Sequence, residues 1–201
     1  MFVAVVRDQM MFAIDKQAPQ ISTEFFESSA SSPPQVGPDA SARTHWQYNC
    51  QTEADYEIIS KNRTSSGWNV ELKITAIKLK LTMPIVIYLP RDALDGLKSH
   101  ESGHVEICRR IYERAQSIAG LEARRVMRTY QGNGRNVEEA CEDAVRVANI
   151  ELVEAYGERT LEVVNNISVI YDFLETSSTV QPGHSVDEAF RRYKNGGSRR
   201  L

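Results

Sequence analysis

Residues His100-Glu101-Ser102-Gly103-His104 place two imidazoles four positions apart, with a carboxylate beside the first. On an α-helix, positions i and i+4 stand one above the other on the same face. Both rings can then reach one divalent ion at about 2.0–2.1 Å. Glu101 sits about 100° further round the helix, off the ligand axis but within reach of a water at the metal. Two His ligands, an open coordination position and a carboxylate base are the parts of a zinc hydrolase. The metal brings the pKa of its water towards about 7, and the carboxylate takes the proton during attack on a carbonyl. The chain holds only 4 His in 201 residues, so this arrangement is rare by chance. The competing reading is a solvated helix face carrying a His–Glu ion pair. Leu97, His104, Cys108 and Ile111 fall on one side, which puts His104 with the apolar stripe and favours the metal. Gly103 inside a helix costs about 1 kcal/mol against Ala. Close approach of a neighbouring backbone or of substrate is the expected reason.

The elements around these residues follow from periodicity. Phe2–Ile14 reads as one or two short strands, and the Ser- and Pro-rich stretch from Gln17 to Ala42 as an irregular arm. Arg43–Leu89 has strand character. A hairpin turn at Thr64-Ser65-Ser66-Gly67 joins Tyr56–Lys61 to Trp68–Thr75. Apolar positions change phase from Val70, Leu72 and Ile74 to Ile77, Leu79 and Leu81, predicting a bulge or break near Ala76. Ile85–Leu89 reads as a buried strand ended by Pro90. The period then becomes helical through Leu94, Leu97, His104, Cys108, Ile111, Ala115 and Ile118, with Asp92 as a candidate N-cap. Gln131–Asn136 breaks that helix. A second long helix is expected over Val137–Leu174 on an Ala-rich stripe (Ala140, Ala144, Ala148, Ala155). A loop at Ser177–Ser185, a short helix at Val186–Tyr193 and a frayed tail follow. Strands first and helices second is an α+β order, read here as one domain over residues 1–201: an arm at 1–42, a β region at 43–90 and a helical region at 91–193.

Composition narrows the function classes. Hydrophobic residues are 41% and charged residues 25%, enough for a real core, and the net charge is −3. Nucleic-acid binding usually needs a basic excess; the Arg pairs here are interspersed with Glu and read as solvated faces. No run approaches the roughly 18 apolar residues of a membrane span. The 3 Cys form neither a disulfide framework nor a zinc ribbon. The opening Met-Phe-Val-Ala-Val-Val is shorter than a secretory signal core, and read alone suggests a cytoplasmic start or an export signal that has been trimmed or misassigned.

Several pieces occur in a telling order. Gly37-Pro38 precedes Thr44-His45-Trp46 and Cys50. A β segment ending in Leu89-Pro90 leads into Leu97-Lys98-Ser99-His100-Glu101-Ser102-Gly103-His104-Val105-Glu106-Ile107. A long helix then reaches Tyr171-Asp172, with a Thr and a His downstream. From about Gly37 to His184 the chain resembles a bacterial family described as secreted zinc-dependent proteases, known mainly as a domain of unknown function. The HExGH segment is the specific part. The resemblance implies a zincin-like fold, one zinc ion, a peptide or protein substrate and a secreted or periplasmic location. Family members end in a Y-D-x-x-T-x-H-G pattern whose His is the natural third ligand. Here Phe-Leu-Glu-Thr follows Tyr171-Asp172, the next His is His184, and Gly183 precedes it.

A catalytic zinc needs a third protein ligand. His184 is the first candidate, supported by the resemblance, with an exposed loop His as its alternative. Glu151 lies on the small-residue face of the second helix and would complete a two-His-one-Glu set; otherwise it pairs with an Arg. Glu158 is a weaker version. Asp172 is a ligand, or a partner that orients a ligating His through its N–H. His45 reads as structural. Tyr171 is a candidate oxyanion donor or a packing residue, and Cys108 reads as core. The reading is therefore a zinc metallopeptidase with metal ligands His100, His104 and His184, Glu101 as base and Tyr171 assisting. A zinc amidase would share the site. The other class is a helix-pairing binding protein, with a structural metal or none.

Overall fold

The computed structural model describes residues 11–27, 41–176 and 184–197. They form a mixed α+β structure of two sheets and four helices among the described residues. The chain divides into two compact units.

The first unit is built on β5 (Gly67–Thr82), with β4 (Asn49–Thr64) beside it and β1 (Met11–Lys16) and β7 (Thr129–Gly134) also paired to it. A two-residue turn, Ser65-Ser66, joins β4 to β5, and only antiparallel strands can be joined so tightly. Gly67 supplies the positive φ of 145° that this hairpin needs. The expected phase change is present without a break in the strand. Val70, Leu72 and Ile74 are buried, then Ile77, Leu79 and Leu81. The switch falls where the neighbour changes from antiparallel β7, opposite Trp68–Lys73, to parallel β1, opposite Ala76–Leu81.

Two expectations about the helices and β7 are corrected. The first helix does not run on through Ile118. α1 (Asp95–Glu113) closes at Arg114, whose amide bonds to the Ile111 carbonyl at 3.1 Å, and α2 (Ala115–Val126) begins afresh. No Gly or Pro marks that join, so the apolar period passes straight across it. Gln131–Asn136 is not a mere breaker, because it contributes most of β7. A Cβ at Gly132 would overlap the Ala140 carbonyl and the Ala144 backbone, and one at Gly134 would overlap the Ala140 amide. The glycines there serve close strand–helix packing rather than a turn. The Ala stripe they meet, Ala140, Ala144 and Ala148, is buried on α3 (Val137–Thr176), which matches the expected second helix.

The second unit holds a three-stranded sheet ordered β2-β6-β3: β2 (Gln20–Phe26), β6 (Pro84–Pro90) and β3 (Arg43–Trp46). β2 corrects the expected irregular arm. It pairs parallel to β6 from Gln20↔Pro84 to Phe26↔Pro90, tied at its ends by Gln20 N–H to the Met83 carbonyl and Arg91 N–H to the Phe26 carbonyl. It escapes a periodicity reading because Ile21 and Phe25 are both exposed, leaving no buried alternation. β3 runs antiparallel to β6. With this sheet belong α1, the latter half of α3 from Glu158, and α4 (Ser185–Gly197), which matches the expected last helix. Met83, Ile85, Ile107, Cys108, Ile167 and Leu174 form its buried interior. Arg110 of α1 ion-pairs with Asp187 of α4. The expected strand before residue 11 and the Ser177–Gly183 loop lie outside the described residues. No helix among the described residues is long and apolar enough to cross a membrane.

Candidate functional site

The site lies within the second unit, between α1, the end of α3 and β3. Helical spacing brings His100 and His104 to one face of α1, with ring centroids 5.0 Å apart. Asp172, near the end of α3, meets both: its Oδ1 lies 3.4 Å from His100 Nε2 and 3.0 Å from His104 Nε2. Among the described residues these three are the one convergence of ligand-bearing side chains that could hold a metal ion, with ligand atoms within 4.8 Å of one another. The Oδ1 atom is buried and has no hydrogen-bond partner, and neither has the buried His104 Nδ1. The Nε2–Oδ1 approaches therefore lack hydrogen-bond direction. Their lengths suit something else. Ligands about 2.05 Å from a tetrahedral zinc stand about 3.3 Å apart.

Electrostatics follow the same convergence. The carboxylate beside His100 raises that imidazole's pKa, against the opposing effect of burial. Burial works to raise Asp172, but the two imidazoles outweigh it and hold the carboxylate well below its usual range. Asp172 is thus an anion aimed at two nitrogens, and the three together could hold a metal ion.

Aromatic rings flank the two imidazoles on both sides. Trp46 of β3 stacks on His104 at 5.7 Å, and its indole N–H donates to Asn165 Oδ1 of α3 at 3.2 Å. Tyr171 stacks on His100 at 5.2 Å and meets His104 edge-on. Its hydroxyl donates to the His100 carbonyl at 3.1 Å. The cost of Gly103 is explained here, since a Cβ at that position would overlap the Tyr171 hydroxyl and ring carbon Cζ. The close approach is made by a tyrosine side chain, not by the neighbouring backbone or substrate that was expected. Burial pushes the phenol pKa up, with Glu175, Asp172 and Glu101 adding to it, so Tyr171 stays a neutral donor committed to the helix backbone.

Glu101 is only 4% exposed. Its Oε2 accepts a 2.6 Å hydrogen bond from the hydroxyl of Thr44, itself buried on β3. Glu101, His100, His104, Asp172, Thr44 and Trp46 all line one cleft of about 390 Å³. The carboxylate that the spacing placed off the ligand axis therefore faces the same space as the ligands.

The other candidates lie elsewhere. His184 is exposed just before α4, its carbonyl accepting from the Glu188 amide, and it is not one of the three converging residues, the third of which is Asp172. Glu151 is paired with Arg128 at 2.8 Å and with the Tyr130 hydroxyl at 3.0 Å. Glu158 is exposed on α3, and His45 is exposed on β3. Cys108 is fully buried, and its thiol is pushed up to about 12 by burial, so it is a neutral core residue. Nothing local in sequence pairs Thr44 with Glu101 or Asn165 with Trp46, since these partners are 57 and 119 residues apart. Searches of protein-family models, curated proteins and solved structures return no match to this chain.

Proposed function

We propose that this chain is a zinc-dependent peptidase of zincin-like type, with His100, His104 and Asp172 as the metal ligands and Glu101 as the acid–base group. The observation that carries the reading is the buried Asp172 Oδ1, which stands 3.0 and 3.4 Å from two imidazole nitrogens without a directed hydrogen bond to either. Three protein ligands with no fourth among the described residues suit a catalytic site, which keeps a position open, rather than a structural one. Zinc in that position would supply Lewis acidity towards the scissile carbonyl and a water acidified to a pKa near 7.

The chain's own groups do the rest. Glu101 accepts one proton from the attacking water as its oxygen bonds to the carbonyl carbon. It then delivers that proton to the amide nitrogen as the C–N bond breaks, giving a carboxylic acid and an amine. Thr44 holds Oε2, fixing the carboxylate's rotamer and leaving Oε1 to work. Tyr171 is a positioning residue here, because its hydroxyl is already bound to the His100 carbonyl. The resemblance of Leu97–Ile107 to the HExGH protease family agrees with this reading.

The test is elemental analysis of the purified full chain after zinc is offered and excess removed, with peptide hydrolysis measured alongside. About one zinc per chain is expected in the wild type, and little in His104→Ala or Asp172→Ala. Glu101→Gln should keep the zinc and lose hydrolysis. Wild-type chain that takes up no zinc overturns the metal reading. Zinc retained in full by Asp172→Ala overturns the ligand assignment.

A further inference from the structure

We infer that β4 is the interface of a symmetric dimer, in which the β4 strands of two copies of this chain pair antiparallel, edge to edge, about a two-fold axis at Ile59. β4 ends the strand order β1-β5-β4, and apart from β5 no described strand pairs with it. Its other edge therefore offers the N–H and C=O groups of alternate residues to a further strand. Folded sheets usually blunt such an edge by keeping the strand short or placing Pro in it. β4 is 16 residues long and contains neither Pro nor Gly.

The order of side chains along the strand points to the partner. Successive residues face opposite ways, so Asp55, Glu57, Ile59, Lys61 and Arg63 share one face. Along the strand that face carries two acids, one apolar residue and two bases. All five side chains are exposed, Ile59 at 52%, and the four charged ones make no ion pair among the described residues. Edge charges that only repelled a neighbour would be of one sign, whereas these are sorted by sign about a centre. A second β4 laid antiparallel, with Ile59 opposite Ile59, sets Asp55 opposite Arg63 of the partner subunit and Glu57 opposite Lys61 of the partner subunit. The two-fold axis repeats both pairs, because such an interface uses the same patch on each copy. Four opposite-charge pairs then flank one apolar pair, and each is favourable across an antiparallel ladder. A parallel copy in the same register would set acid against acid and base against base, which is unfavourable.

The experiment is sedimentation velocity on the full chain over a range of micromolar concentrations, with circular dichroism to check that each variant is folded. The wild type is expected to dimerise, and to do so more weakly in high salt because the charge pairs are exposed. Asp55→Lys with Glu57→Lys makes the face wholly basic, and Lys61→Glu with Arg63→Glu makes it wholly acidic. Each double variant alone should dimerise roughly hundredfold more weakly than the wild type. Mixed in equal amounts, the two should form a heterodimer, because every charge on one copy then meets its opposite on the other. A wild type that stays monomeric throughout the range overturns the inference. A dimer that persists undiminished in either double variant overturns it by placing the interface elsewhere. Two variants that stay apart when mixed overturn it by refuting the charge pairing.

Discussion

Replacing Gly103 by Ala ought to stabilise a helix. On propensity alone the gain is about 1 kcal/mol. The structure reverses the sign, because the new methyl would overlap the Tyr171 hydroxyl and Cζ. Displacing a packed aromatic ring costs about 1–3 kcal/mol. Losing the 3.1 Å hydrogen bond to the His100 carbonyl leaves a buried phenol unsatisfied, at about 1–3 kcal/mol more. Set against the propensity gain, the net is a destabilisation of about 1–5 kcal/mol. Gly157, inside α3, has open space where a methyl would go, with nothing within 4 Å, so Gly157→Ala serves as the comparator and should gain up to about 1 kcal/mol. Urea unfolding followed by circular dichroism at matched pH gives both values. In thermal melts each kcal/mol corresponds to about 2–4 °C for a chain of this size. Gly103→Ala should also loosen the ring that stacks on His100, weakening zinc binding in parallel. If Gly103→Ala proves as stable as Gly157→Ala, the reasoning that this glycine exists to admit Tyr171 is refuted.

Three other outcomes are expected. Thr44→Val removes the hydrogen bond to a buried carboxylate, worth about 1.5–3 kcal/mol, so kcat should fall roughly ten- to hundredfold with zinc content unchanged, and Thr44→Ser should recover most of it; an unaltered rate in Thr44→Val would exclude a positioning role. The Cys108 thiol is held at about 12 when folded against an ordinary 9.0. Below pH 9 both folded and unfolded chains keep the proton and the contribution to stability is complete. Between 9 and 12 only the folded chain keeps it, so stability falls as pH rises, by about 1 kcal/mol at pH 10; urea midpoints at pH 8, 9 and 10 should show a shallower decline in Cys108→Ala. Gly132→Ala drives a methyl into the Ala140 carbonyl and Ala144 backbone. It should destabilise by about 3 kcal/mol or more, visible as a lost or early unfolding transition.

What could be read in the sequence was whatever local spacing encodes. The two imidazoles and Glu101 are within one turn, so helical geometry alone set their relation. The phase switch along β5 was legible because each half buries alternate residues. Asp172 could be named only as one of several ligand candidates, since nothing near residue 172 records that α1 lies opposite. The resemblance favoured His184 instead. Thr44 was invisible as a partner of Glu101 for the same reason of distance. β2 was missed because its apolar residues face water, and β7 because Gly132 and Gly134 carry the same signal for a turn as for close packing. The join at Arg114 has no breaker residue, so two helices read as one.

The three converging residues come from distant segments, for Tyr171, next to Asp172, is 71 residues from His100 along the chain. An unfolded chain can offer an ion only the neighbouring imidazole pair, while the carboxylate arrives when α1 and α3 have docked. With the proposed zinc bound there, metal affinity and the stability of the second unit would become one linked quantity. With free zinc at a hundred times its dissociation constant, the folded state gains about 2.7 kcal/mol, and a chelator withdraws that gain. Such a protein would be a sensor of the ion's availability through its own lifetime: well supplied it resists unfolding and proteolysis, and starved of metal it is cleared sooner.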